Sequence, residues 1–300
     1  MINLVDMSKK YIVGRSNLAL TIFVPYDCPN KCPFCTSKDD YRDTKDFGLE
    51  KITKALKKVR NCLGPVPDIV ITGGEPFADL EQLQTLLDEC KRYHKNIYIN
   101  TTLPVKDKEE ADKVFEFILK NQRIINGLNI SRHMCLKTNL EDDDLIERIY
   151  EHTNTPLRIN SVLIGVKAEQ TKVKEFIDKY SPFVDAVHFR GDYTKVKTQD
   201  DLRGLDHPLL QVLFNLPELT YSSSGGCLVC NDNSFSMYDG TKKSYTRISF
   251  HRGFEHSCVK QGPYYILNDI IIKQDGKILC DWDGEELDVR SLELQWGNPR

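Results

Sequence analysis

The sequence predicts an α/β protein: a partial (β/α)6 TIM-like barrel with a small β-hairpin-rich extension at its carboxyl end. Two observations carry the barrel. Between residue 17 and about residue 190, β-branched apolar runs alternate with helical stripes, at roughly 30 residues per unit, as parallel βαβ connections require. A complete eight-unit barrel takes about 250 residues, so the shorter span suits six units. A third observation sets the extension apart. Beyond residue 220 the stripes give way to runs arranged around Asp-Gly pairs, which are hairpin signals.

In chain order, the expected strands are 18–24 (LALTIFV), 68–72 (DIVIT), 96–100 (NIYIN), 124–131 (IINGLNIS), 157–164 (LRINSVLI) and 184–190 (VDAVHFR). Helical patterns fall near 47–63, 79–94, 107–120, 140–151 and 168–180. The fourth opens with a run of carboxylates, which favours a helix amino terminus. The fifth places Val173, Phe176, Ile177 and Tyr180 on one face. The stretch 201–216 reads as a last helix broken by Pro208, and 221–226 (YSSSGG) as a turn-rich joint. Hairpins are expected around 237–243 and 270–279, with a short closing helix over 282–296. The resulting organisation is an amino-terminal extension (1–16), a barrel (17–220) and a cysteine-containing extension (221–300).

Composition excludes several classes. A hydrophobic fraction of 40% and a charged fraction of 28% are those of an ordinary globular protein. With 41 basic against 44 acidic residues, no basic excess argues for a nucleic-acid partner and no acidic excess for disorder. The amino terminus has no apolar h-region, and nowhere do 18 apolar residues run together, so no membrane partner is expected. The expected compartment is the cytoplasm, where clustered cysteines signal metal or chemistry and not disulfides.

Ten cysteines then need sorting. Cys62 and Cys90 lie on helical stripes and read as small core residues. Cys28, Cys32 and Cys35 form a C-x3-C-x2-C loop directly after the first strand, at the carboxyl end where α/β folds place their ligands. Three thiolates on one loop suit an iron–sulfur cluster with one open iron, or a zinc completed by a distant fourth ligand. The ends of the other strands are polar. The second finishes in Gly73-Gly74-Glu75-Pro76, where two glycines allow close backbone approach and Glu75 offers an acceptor for an ammonium. The third ends in Asn100 and Thr101, the fourth in Ser131, Arg132 and His133, and the fifth carries Asn160. Singly, each of these reads as a turn or a helix cap; together with the cysteines they gather at one rim.

At this point the sequence resembles the radical S-adenosylmethionine (SAM) enzymes. That family pairs a C-x3-C-x2-C loop after the first strand of a partial barrel with a Gly-Gly-Glu-Pro motif after the second. Both are present in order, with the aromatic Phe34 just before Cys35. The resemblance covers residues 17 to about 190. It implies a [4Fe–4S] cluster on Cys28, Cys32 and Cys35, with SAM chelating the open iron. Reductive cleavage of SAM to methionine and a 5′-deoxyadenosyl radical would then remove hydrogen from an organic substrate. The backbone of Gly73 to Glu75 is implied to hold the methionyl amino group. Asn100, Thr101, Ser131 and Arg132 are implied to approach ribose and carboxylate, with Arg132 offering a fork that matches a carboxylate. Asn160, Leu163 and His188 are further cofactor contacts by strand position. A reductant such as flavodoxin or ferredoxin is an implied partner.

The tail holds Cys227, Cys230, Cys258 and Cys280. They resemble the auxiliary-cluster module of SPASM/Twitch enzymes, although the C-x2-C-x27-C-x21-C spacing departs from it. A second [4Fe–4S] cluster, a structural zinc and no metal all stay open. Cys135 and Tyr193, in loops on the same face, are candidate catalytic residues. The substrate expected is a peptide or a small polar metabolite, nucleosides included. Two other readings are a glycyl-radical activase and a non-catalytic protein stapled by zinc.

Overall fold

The fold was followed in a computed structural model, which describes residues 10–14, 18–35, 37, 39–66, 68–92, 96–134, 136–163, 169–191, 208–225, 232–240, 242–251, 258–262, 264–282 and 284–295. Six strands follow the expected pattern: β2 (Ala19–Phe23), β3 (Asp68–Thr72), β4 (Asn96–Thr101), β5 (Ile125–Ser131), β6 (Leu157–Val162) and β7 (Ala186–Arg190). They pair in sequence order, each parallel to the next. Alternate residues along them, among them Leu20, Ile22, Ile69, Ile71, Ile97, Ile99, Leu128, Ile130 and Ile159, are fully buried. They pack beneath the helices α1 (Leu49–Leu63), α2 (Leu80–Cys90), α3 (Lys108–Asn121), α4 (Asp143–His152) and α5 (Gln170–Tyr180). Each such side chain stabilises the fold by about 1.5–3 kcal/mol relative to exposure. The alternate strand positions face inward, and many of them are polar, among them Thr72, Asn100, Asn129, Ser131 and Asn160.

Helix starts follow local chemistry. Asp79, Asp107 and Asp142 each accept a hydrogen bond from the backbone N–H three residues on, at 2.9–3.0 Å. Gly64 ends α1 with φ +75°, a conformation that costs glycine little.

Past β7 several expectations are corrected. Of the expected last helix, the part from Pro208 onward is α6 (Pro208–Asn215), and residues 201–207 lie outside the described residues. The Ser-rich stretch read as a joint lies within strand β8 (Leu219–Gly225), because it pairs antiparallel with β9 (Asp232–Asp239). β9 turns into β10 (Ser244–His251), the expected hairpin, and β10 runs parallel to β7. The second expected hairpin is β13 (Asp269–Ile272) with β14 (Ile278–Leu279), and β13 runs parallel to β2. The sheet is therefore eleven strands wide, in the order β14-β13-β2-β3-β4-β5-β6-β7-β10-β9-β8. No closed barrel forms among the described residues.

A second sheet joins β11 (Cys258–Gln261), β12 (Tyr264–Leu267), β1 (Lys10–Gly14) and β15 (Glu293–Gln295) in that order. The expected closing helix is thus a single 3-10 turn at Val289–Ser291 followed by β15. The extensions at both ends of the chain meet in this sheet. Among the described residues, no helix is long and apolar enough to cross a membrane.

Candidate active site

The cysteine loop leaves β2 and is fastened at several points. Asp27 Oδ1 accepts from the Cys28 N–H at 2.7 Å, and the Asn30 N–H points at Cys28 Sγ at 3.4 Å. Asn30 Nδ2 donates to Thr102 Oγ1 at 3.0 Å, while its Oδ1 accepts from the Asn139 N–H at 2.7 Å. One asparagine thus ties the cysteine loop to the end of β4 and to the loop between β5 and α4. Further along, Asp40 is held by Lys273 Nζ at 2.8 Å and by Gln274 Nε2, which donates to its carbonyl at 2.7 Å. The β13–β14 turn therefore anchors the far side of the loop.

The Gly-Gly-Glu-Pro segment packs against this loop. A Cβ on Gly74 would stand 2.0 Å from the Tyr26 carbonyl oxygen, and one on Gly73, whose φ is +108°, would stand 2.5 Å from Tyr41 Oη. The glycines are required by the protein's own backbone approach. Tyr41 Oη donates to the Val24 carbonyl and accepts from the Gly74 N–H, at 2.9 and 2.6 Å. Tyr26 Oη donates to the Pro76 carbonyl at 2.7 Å. Glu75 is buried, and burial raises its pKa against the pull of its donors. Its Oε1 accepts from Thr101 Oγ1 and the Phe77 N–H, and its Oε2 from the Thr102 N–H and Oγ1, at 2.5–3.1 Å. The expected role as an ammonium acceptor is corrected: this carboxylate locks β3 to β4.

These loops open on one cavity of about 1240 Å³, measured with its mouth. Cys28, Cys32, Cys35, Phe34, Gly73, Gly74, Glu75, Asn100, Thr101, Ser131 and Asn160 all line it. Its floor carries a polar ladder, in which Asn129 Nδ2 donates to Asn100 Oδ1 and Asn100 Nδ2 to Thr72 Oγ1, at 2.8 and 3.4 Å. His133, expected at the polar rim but without an assigned role, also lines it. Its Nδ1 accepts from the Val162 N–H at 3.1 Å and its ring meets Phe34 edge-on at 4.7 Å. Burial, then the neighbouring Arg132, pushes its pKa down to about 4, so the ring is neutral with Nε2 as its donor. Trp282, edge-on to Phe23 at 5.5 Å, closes another side. Nothing in local sequence marks it, since the extension carries it there.

Other candidates sit elsewhere. Arg132 is 1% exposed. Its Nε pairs with Asp143 at 3.1 Å, and its terminal nitrogens donate to the carbonyls of Thr102, Ser131 and Asp142. The fork expected to meet a cofactor carboxylate is thus taken by the protein. Leu163 is a core residue, its N–H bonded to the Arg190 carbonyl at 2.9 Å. Pro76 is buried. His188 is buried in the inner face with Nδ1 2.6 Å from Ser249 Oγ. Cys280 packs in the hydrophobic core, 3.8 Å from Tyr11 Oη. Cys258 stands on β11 opposite Leu267. Cys135, Tyr193, Cys227 and Cys230 lie outside the described residues.

The three loop thiols are partly exposed. Burial pushes the Cys28 thiol up to about 12, so it keeps its proton until a metal replaces it. Among the described residues no three Cys, His, Asp or Glu side chains converge on one metal ion, as a single zinc would need. A four-iron cluster takes one iron per thiolate, and the donor set fits it.

An open parallel α/β sheet with a three-cysteine loop at its carboxyl rim defines a class of cluster-bearing enzyme folds. A family model described as the Radical SAM superfamily matches residues 22–187, and the chain belongs to that superfamily. Among solved structures, Streptococcus suis SuiB bound to S-adenosylmethionine matches at a TM-score of 0.51 with 17% identity, over 89% of this chain and 58% of that one. The structure of anSMEcpe with bound AdoMet matches at 0.44 with 16% identity, over 66% and 59%. The FeFe-hydrogenase maturase HydG from Carboxydothermus hydrogenoformans matches at 0.43 with 12% identity, over 69% and 52%. At such identity the SuiB likeness is one of fold. The chain spans less than two thirds of the length of these proteins. No curated protein matches it in sequence.

Proposed function

We propose that the chain is a radical SAM enzyme that removes a hydrogen atom from an organic substrate, a peptide or a small polar metabolite. The observation that carries this reading is that three cysteines on one loop and the Gly73–Glu75 segment open on the same cavity. When bound, a [4Fe–4S] cluster and SAM supply one-electron cleavage to methionine and a 5′-deoxyadenosyl radical. Cys28, Cys32 and Cys35 would hold the cluster. The backbone edges of Gly73, Gly74 and Glu75 would receive the methionyl group. Asn30, Tyr41 and Glu75 keep those two loops in register, and the neutral His133 offers a donor to the cavity beside Phe34. Asn100, Ser131 and Asn160 offer polar groups to ribose or substrate. The electron comes from a reductant of the flavodoxin or ferredoxin kind.

The test compares iron and sulfide content after anaerobic reconstitution of the parent with that of a variant carrying Cys28→Ala, Cys32→Ala and Cys35→Ala. Release of 5′-deoxyadenosine from SAM under dithionite is followed alongside. About four irons lost in the variant, together with all SAM cleavage, is the expected result. Four irons remaining would assign a second cluster to the tail cysteines. Parent protein with zinc, no iron and no cleavage would overturn the reading in favour of a zinc-stapled protein.

A further inference from the structure

Among the described residues, one beyond β7 lines the cavity: Trp282, in the tight turn that follows β14. The turn is built to present it. The Trp282 N–H donates to Asp281 Oδ1 at 2.8 Å, and the Gly284 N–H to the Asp281 carbonyl at 3.0 Å. A Cβ on Gly284 would stand 2.7 Å from the Asp281 nitrogen, so close approach requires glycine there. Cys280, just before the turn, is sunk in the core, while Trp282 faces the cavity.

The ring is held from behind. Phe23, fully buried at the end of β2, meets it at 5.5 Å with an interplanar angle of 67°. Lys273 Nζ lies 4.3 Å from the centre of the Phe23 ring and pairs with Asp40 of the cysteine loop at 2.8 Å. Trp282 is therefore fixed to the strand and the lysine that also place the thiols. Among the described residues Phe23 is its one ring contact, and its indole N–H reaches no acceptor. A half-buried indole of this kind offers a ligand both an apolar plane and a donor. The other phenyl or indole ring in the lining, Phe34, is buried and stands edge-on to His133. Much of the remaining wall is hydroxyl and amide, at Thr72, Asn100, Ser131 and Asn160. Such groups exchange water for ligand at little net gain, so Trp282 is the wall's main source of apolar binding energy.

We propose that Trp282 is a substrate-recognition residue, receiving a planar unsaturated ring of the substrate, an aromatic side chain or a nucleobase, against its indole. This rests on the radical SAM reading and narrows its substrate class to molecules that carry such a ring. Offset or edge-on packing suits the charge distribution of the indole, and its N–H can donate to an acceptor on the partner's rim. Specificity then comes from the extension and not from the repeated βα units.

The test uses the full, cluster-reconstituted chain with SAM present and with Trp296→Phe, which leaves Trp282 as the one tryptophan. Uridine and N-acetyltyrosinamide are the planar probes, N-acetylleucinamide is the non-planar control, and SAM is titrated separately. Binding is read by Trp282 emission and, in variants that lack this reporter, by calorimetry. At least one planar probe is expected to saturate in the millimolar range and to change the emission, and the control is not. That probe's affinity should fall by about fivefold or more in Trp282→Leu, the size of one lost ring contact, and be partly kept in Trp282→Phe. The phenylalanine variant guards against a folding defect, which thermal unfolding reads independently. Tighter uridine assigns a nucleobase and tighter N-acetyltyrosinamide an aromatic side chain; either supports the proposal. No saturable response to either planar probe, equal affinity in parent and Trp282→Leu, or a control that binds as tightly overturns it. A SAM affinity that falls in Trp282→Leu while probe binding stays intact also overturns it, because the ring would then serve the adenine of SAM. Failure of the radical SAM reading shows in a different channel, the iron and sulfide content and SAM cleavage before any probe is added.

Discussion

With four donors on its two oxygens, Glu75 has no acceptor left for a ligand, and its substitution should disturb loop placement before chemistry. Glu75→Ala leaves those donors buried and unmatched, and is expected to cost about 2–4 kcal/mol in urea unfolding while lowering iron uptake. Glu75→Gln keeps the shape and should cost less. An unchanged urea midpoint for the alanine variant would refute the locking role. His133 makes a prediction about pH. Its folded pKa of about 4 lies below the ordinary 6.5, so the unfolded chain binds more protons between those values. Stability is fully present above about pH 6.5 and falls as pH drops toward about 4, by up to about 3 kcal/mol from this residue. His133→Asn should flatten that slope in denaturation series run from pH 7 to 4.5, leaving the part contributed by His188, which shifts the same way. A slope as steep as the parent's would show that the ring does not stay neutral. Neither residue's role was legible locally. A Gly-Gly-Glu-Pro string states that a glutamate is present, whereas its partners Thr101 and Thr102 arrive from another strand.

Among the elements, the strands and helices of residues 17–190 were legible because each repeats an apolar residue at its own period and each aspartate cap lies three residues before the group it binds. Glycines show the limit of such reading. Gly64 and Gly74 look alike in sequence, yet a Cβ at Gly64 meets nothing within 4 Å while one at Gly74 meets backbone at 2.0 Å. Gly64→Ala is therefore expected to lose about 1 kcal/mol for its positive φ and to load iron normally. Gly74→Ala must move the cysteine loop and should load little iron even where circular dichroism stays native-like. Equal iron content in the two variants would contradict that picture. Misread elements share one cause. The Ser-rich strand β8 forms because β9 offers it hydrogen bonds, and β15 extends because β1 is there to pair with it. Propensity is weak beside a waiting sheet edge.

At the scale of the whole molecule, the extension is built into the half that carries the cysteine loop. β10 continues the sheet beyond β7, β13 continues it beyond β2, and the β13–β14 turn grips Asp40 of the cysteine loop. Deleting residues 258–300 should therefore expose one edge of β2 and loosen the loop. The expected outcome is loss of iron and of SAM cleavage whether or not the tail cysteines bind a metal. Full iron content and an unchanged melting temperature in the truncated chain would show the extension to be dispensable. By itself the sequence determined the parallel α/β class, the three-cysteine loop and the superfamily, since strand and helix periods and ligand spacing are properties of neighbouring residues. Only the tertiary structure decided which polar groups face the cavity. It turned Arg132 and Glu75 into fastenings and brought His133, Trp282, Arg158 and Arg190 to the cavity wall, because a side chain's partner depends on which strands lie beside it and not on which residues adjoin it along the chain.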